Sequence, residues 1–354
     1  MSTTYRAIDW NRQKRVYDGT LGGLLALGLG LFVGISVLVS PNITVETLLI
    51  RGSSVSALLL LHVILCIGPL ARLNPRFLPL LYNRRHLGVT LFLLALLHGA
   101  FATVQFHALG DENPLVSVLT AYGRDYRVFA DGRINLPHFP FEPFGVLALF
   151  LFFLMAATSH DFWLRNLGAS FWKAMHLGVY LAYGSVLVHV ALGVLQSERG
   201  AIFPGLLAVG FVVVAGLHLA AARKETRIDR GKPLGEADGY AETCRVEDVA
   251  EGRGKVVLVA GQRIALFRHQ GRIHATSNVC RHQGGPVGEG RIVDGCITCP
   301  WHGWNYQPED GCSPPPFTEV LETYDTRIQD GRVWVRTIAN PPRQHCAGTA
   351  VTAT

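Results

Sequence analysis

Six stretches of this 354-residue chain carry no Asp, Glu, Lys or Arg over about the length that crosses the hydrocarbon core of a bilayer. They are 21–39, 53–71, 87–106, 143–159, 174–195 and 201–222. Uncharged apolar runs of this length are read as membrane helices, because lipid leaves the backbone to satisfy its own hydrogen bonds. The charge is distributed to match. Residues 1–222 hold 15 Lys and Arg and 10 Asp and Glu, whereas residues 223–354 hold 17 and 16. The second part therefore has the charge density of a soluble domain, about one residue in four, and the first has less than half of it. A single soluble globule is excluded. With 49% apolar residues, so is a disordered chain. The net charge of +6 resides mostly in the membrane part, so its partner is membrane lipid and no nucleic acid is expected.

Orientation follows from the basic flanks. Arg6, Arg12, Lys14 and Arg15 precede the first stretch, Arg72, Arg76, Arg84 and Arg85 separate the second from the third, and Arg165 and Lys173 the fourth from the fifth. Arg223, Lys224, Arg227, Arg230 and Lys232 follow the sixth. The alternate loops hold only Arg51, Arg199 and a long segment with three Arg against five acids. The pattern predicts a six-helix, all-α transmembrane bundle over 1–222 with both termini cytoplasmic. In a bacterium this is an inner-membrane, multi-pass protein whose far side is the periplasm. The first helix is expected to be retained, since no A-x-A site follows it. Residues 223–239 read as a polar linker. Residues 240–338 carry short β runs separated by glycine-bearing turns such as HQGR and QDGR, the pattern of a small all-β domain. The tail 339–354 reads as disordered.

The soluble part holds six of the seven cysteines, without regular disulfide spacing. Its strongest signal is Cys280-Arg-His282, then sixteen residues, then Cys299-Pro-Trp-His302-Gly. Two Cys and two His suit a tetrahedral zinc or a Rieske 2Fe-2S cluster, which takes two Cys on one iron and two His on the other. Structural zinc sites usually pair Cys with Cys and His with His; here each pair is mixed. The text CRHQGGPVGEGRIVDGCITCPWHGWNY resembles Rieske ferredoxins and the Rieske domains of ring-hydroxylating oxygenases. The resemblance implies that Cys280 and Cys299 hold the inner iron, that His282 and His302 hold the outer one, and that Gly284, Gly285 and Pro286 form a cover loop. Quinol-oxidising Rieske proteins carry an extra Cys in each box. Here the intervening positions are Arg281, Pro300 and Trp301, which resembles the lower-potential ferredoxin type. Cys296 and Cys312 read as free thiols. A further domain with a mononuclear iron site, and with it ring hydroxylation, is not expected in this chain.

The apolar stretches contain His62, His98, His176, His189 and His218, with His86 at the mouth of the third. An ionisable side chain at bilayer depth points to function, and a neutral imidazole is a common axial ligand of haem iron. His86 and His98 are 12 residues apart and His176 and His189 are 13 apart, about 18 and 19.5 Å along a helix axis. Two helices running the same way thus offer two histidine levels, though these spacings do not return to one face without a bend or bulge. The segments RRHLG leading to LFLLALLHG, and FWKAMHLGVYLAYGSVLVHVALG, resemble the ferric reductase-like transmembrane family. That resemblance implies haem b bound by His98, His176 and His189, with His86 as a fourth ligand if two haems are present. Arg72, Arg84 and Arg85 are topology signals and also candidates to pair with haem propionates. His62 and His218 read as interhelical hydrogen-bonding partners. His107, His138, Asp111 and Glu112 lie in the long outer loop.

Together these signals describe a membrane electron-transfer protein with no acid, base or nucleophile of its own. No strand-bounded G-x-G-x-x-G marks a nucleotide-binding domain. A soluble reductase or ferredoxin would donate electrons, which would pass between the cluster and one or two haems to a periplasmic acceptor. A quinol-linked respiratory protein, a terminal reductase of ferric iron or oxygen, and a non-enzymatic redox sensor or docking module are the alternative readings.

Overall fold

A computed structural model describes residues 12–81, 84–108, 113–118, 129–130, 133–134, 141–160, 163, 167, 169–193, 195, 201–230, 235–282, 284–301 and 303–351. The described residues fall into two compact units. One comprises Ala7–Cys66 and Asn83–Gly216; the other comprises Ile67–Tyr82 and Leu217–Thr354.

The helices are α1 (Arg12–Val39), α2 (Val45–Leu73), α3 (Arg84–His107), α4 (114–118), α5 (Glu142–Ala157), α6 (Ala169–His176), α7 (Gly178–Leu192) and α8 (Ile202–Asp229). The described residues thus hold eight helical stretches, not the six expected. One extra helix, α4, lies in the segment between α3 and α5. The other arises because the fifth stretch breaks at Leu177. There the Leu177 N–H is shared between the carbonyls of Lys173 and Ala174, and the Tyr180 N–H returns to the Leu177 carbonyl. This tight turn precedes Gly178, a poor helix former. Among the described residues, five helical spans are long and apolar enough to cross a membrane, while α5 has 16 residues. It is about 24 Å long against a core of about 30 Å. α5 nevertheless organises its unit, packing against both α3 and α7. Phe92 of α3 meets Phe153 of α5 with ring centres 5.9 Å apart. No residue in the spanning window of α1 is fully buried, as suits a largely lipid-facing helix.

The second unit is built on antiparallel strands. β1 (Phe129–Ala130) and β2 (Arg133–Ile134) belong to the first unit as a short hairpin. The β domain proper contains β3 (Glu236–Ala237), β4 (Tyr240–Arg245), β5 (Gly254–Val259), β6 (Gln262–His269), β7 (Arg272–Ser277), β8 (Arg291–Val293), β9 (Cys296–Thr298), β10 (Asn305–Tyr306), β11 (Thr323–Tyr324), β12 (Thr326–Gln329), β13 (Arg332–Arg336) and β14 (Thr349–Ala350). They form sheets ordered β11-β7-β6-β5 with β14 on β7, β12-β13-β4-β3, and β10-β9-β8. The expected turns are present. Gln270-Gly271 and Asp330-Gly331 both take positive φ, which matches the right-handed twist of the strands they join. One core lies between the two larger sheets, around Ile264, Leu266, Ile273, Val333 and Val335. A second, around Phe267, Val287, Ile297, Tyr306 and Leu321, includes Cys280 and Cys299.

Two expectations are corrected at the edges of this domain. The linker at 223–239 begins as helix, because α8 runs on to Asp229. The tail at 339–354, expected to be disordered, folds back as far as it is described. Thr349 and Ala350 pair with Ile273 and Arg272, whose guanidinium donates to the carbonyls of Ala347 and Gly348. Those backbone groups find partners that no local pattern announces.

Asn278, buried just after β7, accepts the Gly288 N–H on its side-chain oxygen at 2.7 Å and the Val287 N–H on its backbone carbonyl at 2.9 Å. Asn278→Ala leaves a buried N–H unsatisfied, a cost of about 1–3 kcal/mol. Thermal unfolding of the β domain, followed by tryptophan fluorescence in the full chain, should shift down by about 4–8 °C per kcal/mol lost. An unchanged midpoint would show that this bond does not hold the loop.

Candidate electron-transfer centres

The two Cys–His boxes occupy two loops at one end of the β domain, and their backbones repeat one pattern. The Cys280 N–H donates to the Gly285 carbonyl at 2.8 Å, and the Gly284 N–H returns to the Cys280 carbonyl at 2.7 Å. The Cys299 N–H donates to the Trp304 carbonyl at 2.8 Å, and the Gly303 N–H returns to the Cys299 carbonyl at 3.0 Å. The offsets are the same, and each returning residue is a glycine, with φ of +70° at Gly284 and +69° at Gly303. Each loop needs that left-handed residue to close, which side chains other than glycine resist. The pattern puts one buried cysteine at the head of each loop, Cys280 at 2% and Cys299 at 1% exposure. The cover loop fits closely over this end. A Cβ at Gly285 would lie 2.9 Å from the Cys299 sulfur and 3.1 Å from the Trp301 ring.

His282 stacks on Trp304, with ring centres 4.1 Å apart and planes 6° from parallel. Trp304 is itself fixed by Ser313, which accepts its indole N–H at 2.9 Å, and by Phe317 against its face. His302 lies outside the described residues. Two buried thiols heading matched loops, with His282 two residues beyond the first, fit the donor set of a Rieske cluster. None of the seven cysteines forms a disulfide. Burial and nearby acids raise the thiols of Cys296 and Cys312, which keeps them protonated.

Tyr306 completes the pocket and was not marked by the sequence pattern. Its hydroxyl lies 3.3 Å from the Cys280 sulfur and accepts the Arg281 N–H at 3.0 Å. A cysteine that ligates iron is a thiolate and can only accept, so toward a ligating Cys280 the hydroxyl is the donor. Burial, and then the charge of Cys280, push the phenol far above its ordinary value, so it remains a donor. The signal was present in the WNY that follows the second box, but its meaning depends on a contact spanning 26 residues.

In the helical unit the histidines share one arrangement. His98 donates from Nδ1 to the Ile50 carbonyl at 3.1 Å, His189 to the Phe141 carbonyl at 2.9 Å, and His176 to the Trp172 carbonyl at 2.9 Å. A carbonyl can only accept, so each Nδ1 carries the proton and each Nε2 keeps its lone pair, the tautomer that binds metal. His98 on α3 and His189 on α7 face each other with ring centres 6.3 Å apart. Two metal–imidazole bonds of about 2 Å, plus about 1 Å from each nitrogen to its ring centre, give about 6 Å for rings on opposite sides of one iron. α5 makes room for this pair, since a Cβ at Gly145 would lie 2.7 Å from the His189 ring.

The structure does not bring His86 into such a pair. Its Nδ1 meets the Asp18 carboxylate at 2.8 Å. His176 stacks on Trp172 with ring centres 3.7 Å apart, and its buried Nε2 has no hydrogen-bond partner among the described residues. Arg85 and Arg84 lie within electrostatic reach of it. Arg72 belongs to the other unit, where its carbonyl accepts the Lys224 ammonium at 2.6 Å. His62 differs from the others: its Nε2 is taken by the Tyr183 hydroxyl at 3.2 Å, an interhelical bond between α2 and α7. His107 meets Ser117, and His138, Asp111 and Glu112 lie outside the described residues.

The Rieske 2Fe-2S domain family matches residues 239–325, and the ferric reductase-like transmembrane component matches residues 51–187. Among curated proteins, the chain is similar to the ferredoxin component of the alkene monooxygenase system of Xanthobacter autotrophicus, at 31% identity over 28% of this chain and 81% of that protein. It is also similar to the ferredoxin component of the naphthalene 1,2-dioxygenase/salicylate 5-hydroxylase systems of a Ralstonia species, at 32% identity over 27% of this chain and 94% of that protein. The naphthalene 1,2-dioxygenase ferredoxin component of Pseudomonas putida is 30% identical over 27% of this chain and 93% of that protein.

Tyr306→Phe removes a hydrogen bond to a charged sulfur, worth about 1.5 kcal/mol, while keeping the packing. The reduced cluster loses more than the oxidised one, so its midpoint potential should fall by up to about 60 mV, the one-electron equivalent of the whole bond. Redox titration followed by EPR measures this, and an unchanged potential would show that the hydroxyl does not address the sulfur.

Proposed function

This chain belongs to the Rieske 2Fe-2S proteins through its C-terminal domain and carries a ferric reductase-like transmembrane component ahead of it, and on that premise we propose that it is a transmembrane electron conduit. It receives electrons one at a time from a soluble reductase or ferredoxin in the cytoplasm and delivers them to a periplasmic acceptor. The basic flanks support this orientation in a bacterial inner membrane, with the membrane part over 1–222 and the soluble domain over 240–338. The observation that carries the reading is the His98–His189 pair, 6.3 Å apart with both Nδ1 atoms fixed on carbonyls. The relatives named as ferredoxin components support an electron-carrying role for the β domain.

Cys280, Cys299, His282 and His302 would hold the 2Fe-2S cluster, the two cysteines on one iron and the two histidines on the other. His98 and His189 would hold a haem b toward the periplasm. His176 would hold a second, cytoplasmic one, with Arg84 and Arg85 within electrostatic reach to pair with its propionates. When bound, these groups supply one-electron redox chemistry; the protein supplies ligation, orientation and exclusion of water. The Ile50 and Phe141 carbonyls fix the ring planes of His98 and His189. Tyr306 sets the charge balance at Cys280. Each passage takes in one electron and releases one, and no side chain forms or breaks a bond.

Optical and EPR spectroscopy of the detergent-purified protein during reductive titration, with iron, zinc and haem quantified, tests this reading. A Rieske EPR signal together with bis-histidine b-haem bands is the expected result. His98→Ala or His189→Ala should remove the outer haem's contribution and leave the Rieske signal intact. Zinc in place of cluster iron, or protein without haem, would overturn the conduit.

A further inference from the structure

Glu225 and Asp229 stand four residues apart in the last turns of α8 and so share one face of the helix. Arg263, on β6, meets both. Its Nε donates to Asp229 Oδ1 at 2.7 Å and its Nη2 to Oδ2 at 2.8 Å, a two-pronged pairing of planar fork with carboxylate. Its Nη1 donates to the Glu225 carboxylate, and Nη2 also reaches the Glu225 backbone carbonyl at 3.5 Å. A cation here also meets the negative end of the helix dipole. The Arg263 side chain is 29% exposed and Glu225 21%, so solvent and salt screen that pair less than a surface bridge, while Asp229 is the more exposed partner. Beside them, Lys224 donates to the Arg72 carbonyl at 2.6 Å, tying the end of α8 to the end of α2.

The same arginine is connected to the cluster loops. Its backbone carbonyl accepts the Asn278 N–H at 3.1 Å. Asn278 in turn holds the N–H groups of Val287 and Gly288 in the cover loop, and Cys280 follows two residues later. Glu289, at the end of that loop, is half-buried among the charges of Arg72, Glu225, Lys224 and Arg263. Every residue in this series belongs to one compact unit, which contains the ends of α2 and α8 as well as the β domain.

We propose that Arg263 is a positioning residue: with Glu225 and Asp229 it clamps the cluster-bearing domain onto the end of α8, so that the cluster keeps a fixed orientation to that helix and does not swing on a tether. The idea rests on the conduit reading for its purpose. Its geometry can be tested separately.

The test is EPR of the reduced cluster in oriented multilayers of membranes containing the full chain. A clamped head gives a signal that changes with the angle between membrane and field. Arg263→Ala and, independently, Glu225→Gln/Asp229→Asn should both make the signal independent of angle while leaving its g-values unchanged. The second variant alters only helix side chains, so it remains informative if Arg263→Ala impairs folding of the β domain. A wild-type signal that does not depend on angle, or a helix-side variant as ordered as the wild type, would overturn the clamp. Stopped-flow reduction on the same preparations separates the two ideas. In the wild type, cluster electrons should reach haem in one fast phase, slowed at least tenfold in the helix-side variant. An ordered wild-type head with no electron passage to haem would leave the clamp standing and sink the conduit.

Discussion

An imidazole at bilayer depth has nowhere to place its N–H except on another group of the protein. That constraint decides what the helical unit can do. Fixing the Nδ1 proton on a backbone carbonyl directs the remaining lone pair at Nε2 away from the helix, and His98, His176 and His189 all obey it. Two of these carbonyls lie on a different element from their histidine, Ile50 within α2 and Phe141 at the start of α5, so ligand orientation depends on how the helices pack. α5 is short and central for the same reason. Its start brings the Phe141 carbonyl to His189, and Gly145 keeps its backbone clear of the ring. His62 obeys the rule at Nδ1 but gives Nε2 to Tyr183, which makes it a packing residue.

The β domain solves a related problem with backbone alone. Two loops with the same pair of hydrogen bonds place two buried cysteines side by side in the fold, and the cover loop seals them because Gly285 has no side chain. Tyr306 adds one polar contact inside that sealed space. Burial strengthens such a contact and makes its loss felt at the sulfur. The β domain and the end of α8 then share the charge pairs of Arg263, whose backbone carbonyl also holds the Asn278 N–H beside the cluster loops.

Much of this was legible in the sequence where the signal is local. The charge-free stretches found the spans, and the mixed Cys–His boxes identified the Rieske domain. The facing of His98 and His189 was expressed as a shared level on two helices, and the break at Leu177 falls between His176 and His189, where their 13-residue spacing required the helix to depart from regularity. What escaped reading depends on distant partners. Residues 223–229 are polar and looked like linker, but polarity does not end a helix whose Glu225 and Asp229 are engaged by Arg263, more than thirty residues away. The tail at 339–351 has no strand pattern and is fixed by Arg272 and β7. Asn278 and Tyr306 are ordinary residues in sequence and acquire roles only through the loops they touch.

The central claim is that electrons cross the membrane through this one chain. It is tested most directly by reconstituting the protein in sealed vesicles with the β domain outward, reducing that side with a membrane-impermeant donor, and recording reduction of an impermeant acceptor trapped inside. The account predicts acceptor reduction that needs the protein and is lost in the His189→Ala variant. Reduction of the cluster with no electrons appearing inside would contradict it.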